Sequence, residues 1–430
     1  MPEPQPTKIA YVMRSYPVLY QATVFNEIRV LQQKGYRIEV FSLLEVNPDE
    51  LRRDSISDLP KATYCWQNRK PMAEVIQANL ALLTIAGPAR YWAAYKFAQE
   101  AALLTNLKSF MRFAAWAYDL KQKGVAHLHA HWATEAATVA MIFSWLTGLP
   151  FSFTAHAYDI FFQPQFLQRK LAEASFAVTV SAYNRQYMLD HYGAEFERKI
   201  QVIYPLIDIK QFAPRPAAPG GDLLSIVSIG RLTEYKGFIY LVEACQVLQQ
   251  RGVKFLCQIV GEGEDRAELE AAIVRYNLQD SVKLLGSIPH KEVPPLLEQA
   301  TLFALPCIIA SNGDRDGMPL VLIEAMARQV PVVSSDVIGL SELVRPEVGL
   351  LVPPANPEML AEAMVRLAEA GSERQQAMGQ AGRQIVEREL DAVLGATRLA
   401  ALIQEIGNER RQVSARRNAP EASQTPSSIV

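Results

Sequence analysis

Neither charge is in excess in this chain. Lysine and arginine number 43 against 45 aspartates and glutamates, which leaves no basic footprint for a phosphate backbone, so no nucleic acid partner is expected. Cysteine is scarce as well. Cys65, Cys245, Cys257 and Cys307 form no CxxC pair and are too few for a disulfide scaffold, which fits reduced thiols in a cytoplasmic enzyme. Long apolar runs are missing too. The most apolar stretch, "AEVIQANLALLTIAGPARYWAAY", is broken by Glu74, Gln77, Asn79, Gly87, Pro88 and Arg90, so no membrane span is expected. The opening "MPEPQPTKIAYVM" has no basic segment followed by an apolar one, so no signal peptide is expected. The expected location is the cytoplasm, including the cytoplasmic face of the inner membrane.

What is present is a strand–helix rhythm. From Lys8, "KIAYVM", "TVFNEIRVLQQKG" and "RIEVFSLL" read as a βαβ opening with Gly35 as the helix stop, and the 430 residues leave room for roughly two to three domains. The rhythm continues through "AHLHAHW", "PFSFTAHA", "FAVTVS" and "IQVIYP". It breaks at "APRPAAPGGD", where Pro and Gly cluster, and restarts with "LLSIVSIG", "KFLCQIVG", "VKLLGS", "LFALPC" and "PVVSS". The fold class is α/β, with two doubly wound, Rossmann-like domains facing a central cleft. Expected bounds are 1–212 with a helical insertion at about 70–123, then 222–390, a C-terminal helix over 391–407 returning toward the first domain, and a disordered tail over 408–430. In such sheets ligands bind beyond the carboxyl ends of the strands.

The candidate residues follow strands. In "DRDGMPLVLIEAMARQVPVVSS", Gly317, Met318, Pro319 and Leu320 fit a helix start whose free N–H groups suit an anion. Asp316 precedes that start, where helix capping is the simple alternative, and Glu324 lies in an apolar run where an unpartnered carboxylate is costly. Two acceptor-only groups suit hydroxyl-rich ligands. The "DRD" triplet is a formal Asp-x-Asp metal motif, but the spacing is common by chance. In "SIGRLTEYKGF", Arg231 and Lys236 flank a loop that Gly230 and Gly237 let approach a diphosphate; a surface pair between Lys236 and Glu234 is the alternative. "IVGEGEDR" offers Gly261 and Gly263 as a cleft-lining loop without the third glycine of a dinucleotide fingerprint. In the first half, "FSFTAHAYDIF" sets His156 and Asp159 at a strand end. His127, His129 and His131 share one face of a strand, where a structural or cleft-lining role is preferred to zinc. The insertion carries Tyr91, Trp92, Tyr95, Lys96, Lys108, Phe110, Met111, Arg112 and Phe113, a mixture that suits either a lipid headgroup surface or a packed core.

These motifs, "GRLTEYKG", "VGEGEDR", "LLGSIP" and "DGMPLVLIEAMARQVPVVSS" in that order, resemble the family 4 (group 1) glycosyltransferases of the GT-B fold. The likeness runs up to about residue 405. The first half, with "RSYPVLYQATVFNEIRVLQQKGY", "HLHAHWA" and "FTAHAYDI", is similar to members that build bacterial exopolysaccharides of the colanic acid type. The resemblance implies transfer of a hexose-type sugar from a nucleoside diphosphate donor, UDP- or GDP-linked, with retention at the anomeric carbon. The donor would sit on the second domain and a glycan or lipid-linked acceptor on the first. Carried over residue by residue, Arg231 and Lys236 would hold the diphosphate, Glu324 the ribose, Asp316 the sugar hydroxyls, and His156 the sugar from the opposite wall. No metal or other cofactor would be required. Departures are Asp316, where members usually carry Glu, Leu206 in place of a Gly, and "SYPVLYQAT" in place of a glycine pair. Rival readings are another GT-B chemistry, such as a nucleotide-sugar epimerase, and a non-catalytic nucleotide-sugar-binding module.

Overall fold

The computed structural model describes residues 7–18, 21–46, 59–64, 70–216, 223–337 and 339–418. Cys65, part of the 213–222 break and the end of the expected tail lie outside them. Seven parallel strands form the first sheet: β1 (Lys8–Ser15), β2 (Arg37–Leu44), β3 (Ala62–Tyr64), β4 (Val125–His131), β5 (Phe151–Ala155), β6 (Phe176–Thr179) and β7 (Ile200–Val202). Six form the second: β8 (Leu224–Ile229), β9 (Phe255–Val260), β10 (Val282–Gly286), β11 (Leu302–Leu305), β12 (Val332–Ser335) and β13 (Gly349–Val352). Residues Ile9 to Met13 of β1 are all buried, as expected of a parallel strand covered on both faces by helices.

Strand order places the sites. The first sheet runs β3-β2-β1-β4-β5-β6-β7 and the second β10-β9-β8-β11-β12-β13, so each reverses direction once, between β1 and β4 and between β8 and β11. A crevice opens at such a reversal beyond the strand ends. The loops after β8 and β11, which carry Lys236 and Asp316, flank the second one.

Second-domain side chains that reach the first domain include Glu342 and Arg315. The Glu342 carboxylate accepts the N–H groups of Ala182 and Tyr183 at 2.8 and 2.7 Å, at the start of helix Ala182–Tyr192, and the Tyr204 hydroxyl at 3.0 Å. The Arg315 guanidinium lies 4.5 Å from the ring centre of Phe161. The chain then returns. Helix Ala392–Asn418 packs Ala396, Leu399 and Ile403 into the cluster that holds Ile9, Ile28 and Leu31, and Gln404 donates to the Tyr36 hydroxyl at 2.6 Å. This helix runs on past Asn408, where the sequence suggests a disordered tail, and Arg410 donates to the Gly148 carbonyl oxygen at 2.6 Å. Leu206 fills the space over Gly395, where any Cβ would meet its side chain at 2.2 Å. The departure from glycine at position 206 is thus matched by glycine on the returning helix.

The insertion forms three helices, Met72–Ala86, Pro88–Glu100 and Leu107–Gln122. Most of its aromatic residues point inward: Tyr91, Phe110 and Phe113 are buried, and Trp92 is the large outward-facing ring. Among the described residues no single helix is long and apolar enough to cross a membrane; the first two helices meet such a test only as a pair bent by 115°.

Candidate functional site

Glycines bring the second-domain loops together. Gly237 has φ +69°, and a Cβ there would strike the Pro306 carbonyl oxygen at 2.0 Å, so only glycine lets the loop after β8 close onto the loop after β11. Lys236 then runs over Gly230, whose missing Cβ would touch the lysine stem at 3.4 Å. Its ammonium forms an ion pair with Asp316 Oδ2; the two side chains are 12% and 17% exposed. Burial would lower the Lys236 pKa, but the Asp316 carboxylate, together with Cys307 and Tyr235, holds the ammonium above its ordinary value. Glu234, the alternative partner, instead accepts the Ser311 N–H and hydroxyl at 2.8 and 2.9 Å.

The other candidates divide. Helix Leu320–Ala327 has Pro319 at its cap with no side-chain cap bond, so Asp316 is not the cap and the first N–H groups remain available to a ligand. Glu324 lies on this helix, 7% exposed, 3.0 Å from Nε2 of His290. Arg231 reaches outward to Glu264 at 3.4 Å, with side chains 69% and 59% exposed, a pair of little energetic weight in water. Gly261 and Gly263 serve packing. A Cβ at either would hit the backbone of Gly230 or Leu232 near 2 Å, so they seat the β9 loop beneath the β8 loop.

Across the cleft, His156 follows β5. Its ring stacks 5.0 Å from Trp132 and 5.8 Å from His131, and its Nε2 is buried without a hydrogen-bond partner. Burial, helped by the neighbouring His131, pushes its pKa down to about 3, so the imidazole is neutral at physiological pH. An unsatisfied buried nitrogen is costly unless something completes it. A Cβ on Gly317 would lie 3.3 Å from Ala157, which brings the Asp316–Gly317 turn against the residue that follows His156. Asp159 is occupied elsewhere: its Oδ2 accepts the N–H groups of His156 and Ala133 and ties the ends of β5 and β4 together.

Each ring of the histidine row makes at least one hydrogen bond, while Nδ1 of His127 and Nδ1 of His131 are buried without a partner. His127 Nε2 and His129 Nδ1 both meet the Ser152 hydroxyl, at 2.7 and 2.8 Å, and His129 Nε2 meets Thr154 at 3.1 Å. His131 Nε2 lies 2.9 Å from Glu27, which also accepts the Tyr11 hydroxyl at 2.6 Å. Glu27, His129 and His131 are close enough to share an ion, but both His129 nitrogens and His131 Nε2 already have partners in a sealed core, which favours the structural role.

Residues 210–385 match the family described as glycosyl transferases group 1. That match covers the second domain. An amylovoran biosynthesis glycosyltransferase of Erwinia amylovora is 38% identical over 184 residues, 43% of this chain and 45% of that one. The match therefore spans about half the length of that curated relative. A Salmonella typhimurium protein assigned to colanic acid biosynthesis as a glycosyltransferase is 26% identical over 431 residues, 93% of this chain and 100% of that one. Among solved structures, Anabaena HepE in complex with UDP superposes with a TM-score of 0.68 at 19% identity, covering 93% of this chain and 100% of that one. At that identity the likeness speaks to the fold, and the fold is GT-B.

Three residues across the two domains escape sequence reasoning. His290 could have been suspected, since it is a lone histidine just past a strand end. Glu27 interrupts the apolar face of helix Ala22–Gln33, a weak signal of a buried partner. Glu342 gives no signal, because the groups that it binds lie over a hundred residues away.

Proposed function

We propose that the chain is a retaining glycosyltransferase that moves a hexose-type sugar from a UDP- or GDP-sugar to a glycan or lipid-linked acceptor in cell-surface polysaccharide assembly. The observation that carries this reading is the Lys236–Asp316 pair at the reversal of the second sheet, with the unsatisfied Nε2 of His156 on the facing domain. A departing nucleoside diphosphate gathers negative charge as the glycosidic bond breaks, and a cation already in place lowers that barrier. Lys236 supplies it. Arg231, on a solvated arm, swings in as the second cation, and the free N–H groups at Leu320 add partial positive charge. Asp316 accepts sugar hydroxyls and Glu324 the ribose hydroxyls, while His156 completes its Nε2 on the sugar from the opposite wall. In this reading the protein cation stands where other enzymes place a metal ion. The amylovoran and colanic acid relatives support the biosynthetic setting, and the UDP complex of a fold neighbour supports the donor class.

A lipid-linked acceptor calls for contact with a membrane surface. Met72, Ile76 and Leu80 are exposed at successive turns of one helix, with Trp92 exposed on the next and the exposed cations Arg90, Lys96 and Lys108 around them. A thermal-shift panel of UDP, GDP and ADP tests the donor assignment first. A nucleotide present at a hundred times its dissociation constant stabilises the fold by about 2.7 kcal/mol. No shift with any of the three contradicts the reading.

A further inference from the structure

We propose that His290 is a positioning residue for the donor nucleotide, setting the Glu324 carboxylate to accept the two ribose hydroxyls. The inference rests on the reading of Glu324 as the ribose acceptor. His290 follows Pro289 on the loop after β10, and its Nε2 lies 3.0 Å from Glu324 Oε1. Its side chain is 42% exposed while that of Glu324 is 7% exposed, so the histidine stands between the buried acid and the solvent at the mouth of the cleft. The ring meets Phe212 edge-on, with centres 5.6 Å apart at 74°. Phe212 is itself buried in the segment joining the two domains, and Arg383 holds its carbonyl oxygen.

The chemistry follows from the shape of a carboxylate. A diol offers two O–H donors at fixed separation, and a carboxylate accepts both only if its plane is aligned with them. The terminal torsion of a glutamate is broad and does not fix that plane. One N–H bond to Oε1 does fix it, and the group's roughly four acceptor sites leave enough for two hydroxyls. Phe212 keeps the imidazole from turning away, so the alignment precedes the ligand.

Calorimetric titration of the full chain tests this, using UDP and GDP beside their 2′-deoxy counterparts. His290→Phe keeps a ring against Phe212 and removes the hydrogen bond. His290→Gln keeps an N–H donor near the Nε2 position. The expected result is about tenfold weaker binding of the ribonucleotide to His290→Phe, the scale of one hydrogen bond to a charged group. The deoxynucleotide should be unchanged within about twofold, and His290→Gln should restore most of the loss. Equal losses for ribo- and deoxynucleotide, a loss in His290→Gln as large as in His290→Phe, or no change in His290→Phe would overturn the proposal. Glu324→Gln separates the two levels. If it binds and discriminates as the wild type does, the ribose reading of Glu324 itself falls; if it loses discrimination while His290→Phe keeps it, only the role of His290 falls.

Discussion

Lys236 and Asp316 satisfy one another across the two loops, and in the proposed reaction a donor sugar diphosphate would divide them, taking the cation at the phosphates and the acid at the hydroxyls. Removing the cation should act mostly on the chemical step, because its attraction grows as the bond breaks. Lys236→Ala is expected to lower kcat by roughly a hundredfold or more with a smaller change in donor KM, as seen when one preorganised transition-state donor is lost. Asp316→Asn should cost about 1.5–3 kcal/mol of transition-state binding. Initial rates of folded variants decide it, and near-wild-type turnover in either contradicts the assignment. The buried histidines make a separate residue-scale prediction. Burial pushes His127 and His156 down to about 3, whereas an unfolded chain titrates near 6.5. Between those values the unfolded chain takes the proton and the folded chain does not. Stability is therefore full above about pH 6.5 and falls as pH drops, by roughly 2 kcal/mol per histidine at pH 5. Thermal melts from pH 7.5 to 5 should show this fall, with a shallower slope in His127→Gln; a flat profile would be contrary. Lys236 and Asp316 were legible in sequence because each follows an apolar strand within a glycine-bearing loop, and His156 because it stands directly at a strand end. Glu27 and His290 were not, since their meaning lies in partners 104 and 34 residues away.

At the scale of elements, strands read more plainly than helix faces. Parallel strands covered on both sides are largely apolar runs, and β1, β8 and β11 announce themselves that way, whereas β4 carries a row of histidines. In the insertion the sequence shows that aromatic and basic residues interleave, but not which ring turns inward. Packing against helix Glu135–Thr147 takes Tyr91, Phe110 and Phe113 and leaves an aliphatic stripe outside. The loop of Gly261 and Gly263 is a second example. Its glycines look like ligand-contacting positions, yet the atoms that they admit belong to a neighbouring loop. The exposed stripe carries the membrane prediction. The wild-type chain should float with vesicles containing anionic lipid at low salt and detach as salt rises, and Ile76→Glu with Leu80→Glu should stay in the soluble fraction. Flotation of the double variant at wild-type level would assign membrane contact, if any, to another face.

At the scale of the molecule, two sheets that each reverse once put their crevices face to face, with Glu342 on the helix start at Ala182 and helix Ala392–Asn418 crossing back to join them. The doubly wound pattern of each half was readable from strand–helix alternation. The contacts between the halves were not, because the two halves meet through residues that carry no local pattern. In the proposed reaction a protein cation, not a metal ion, receives the leaving diphosphate during sugar transfer. This is tested most directly by the initial rate of labelled-sugar transfer from UDP- and GDP-sugars to lipid-linked acceptor extract, measured with EDTA and again with magnesium or manganese. Transfer by the wild-type chain is expected to be unchanged by EDTA, and Lys236→Ala is expected to lower it by roughly a hundredfold or more with or without metal. Abolition by EDTA with rescue by added metal would contradict this expectation.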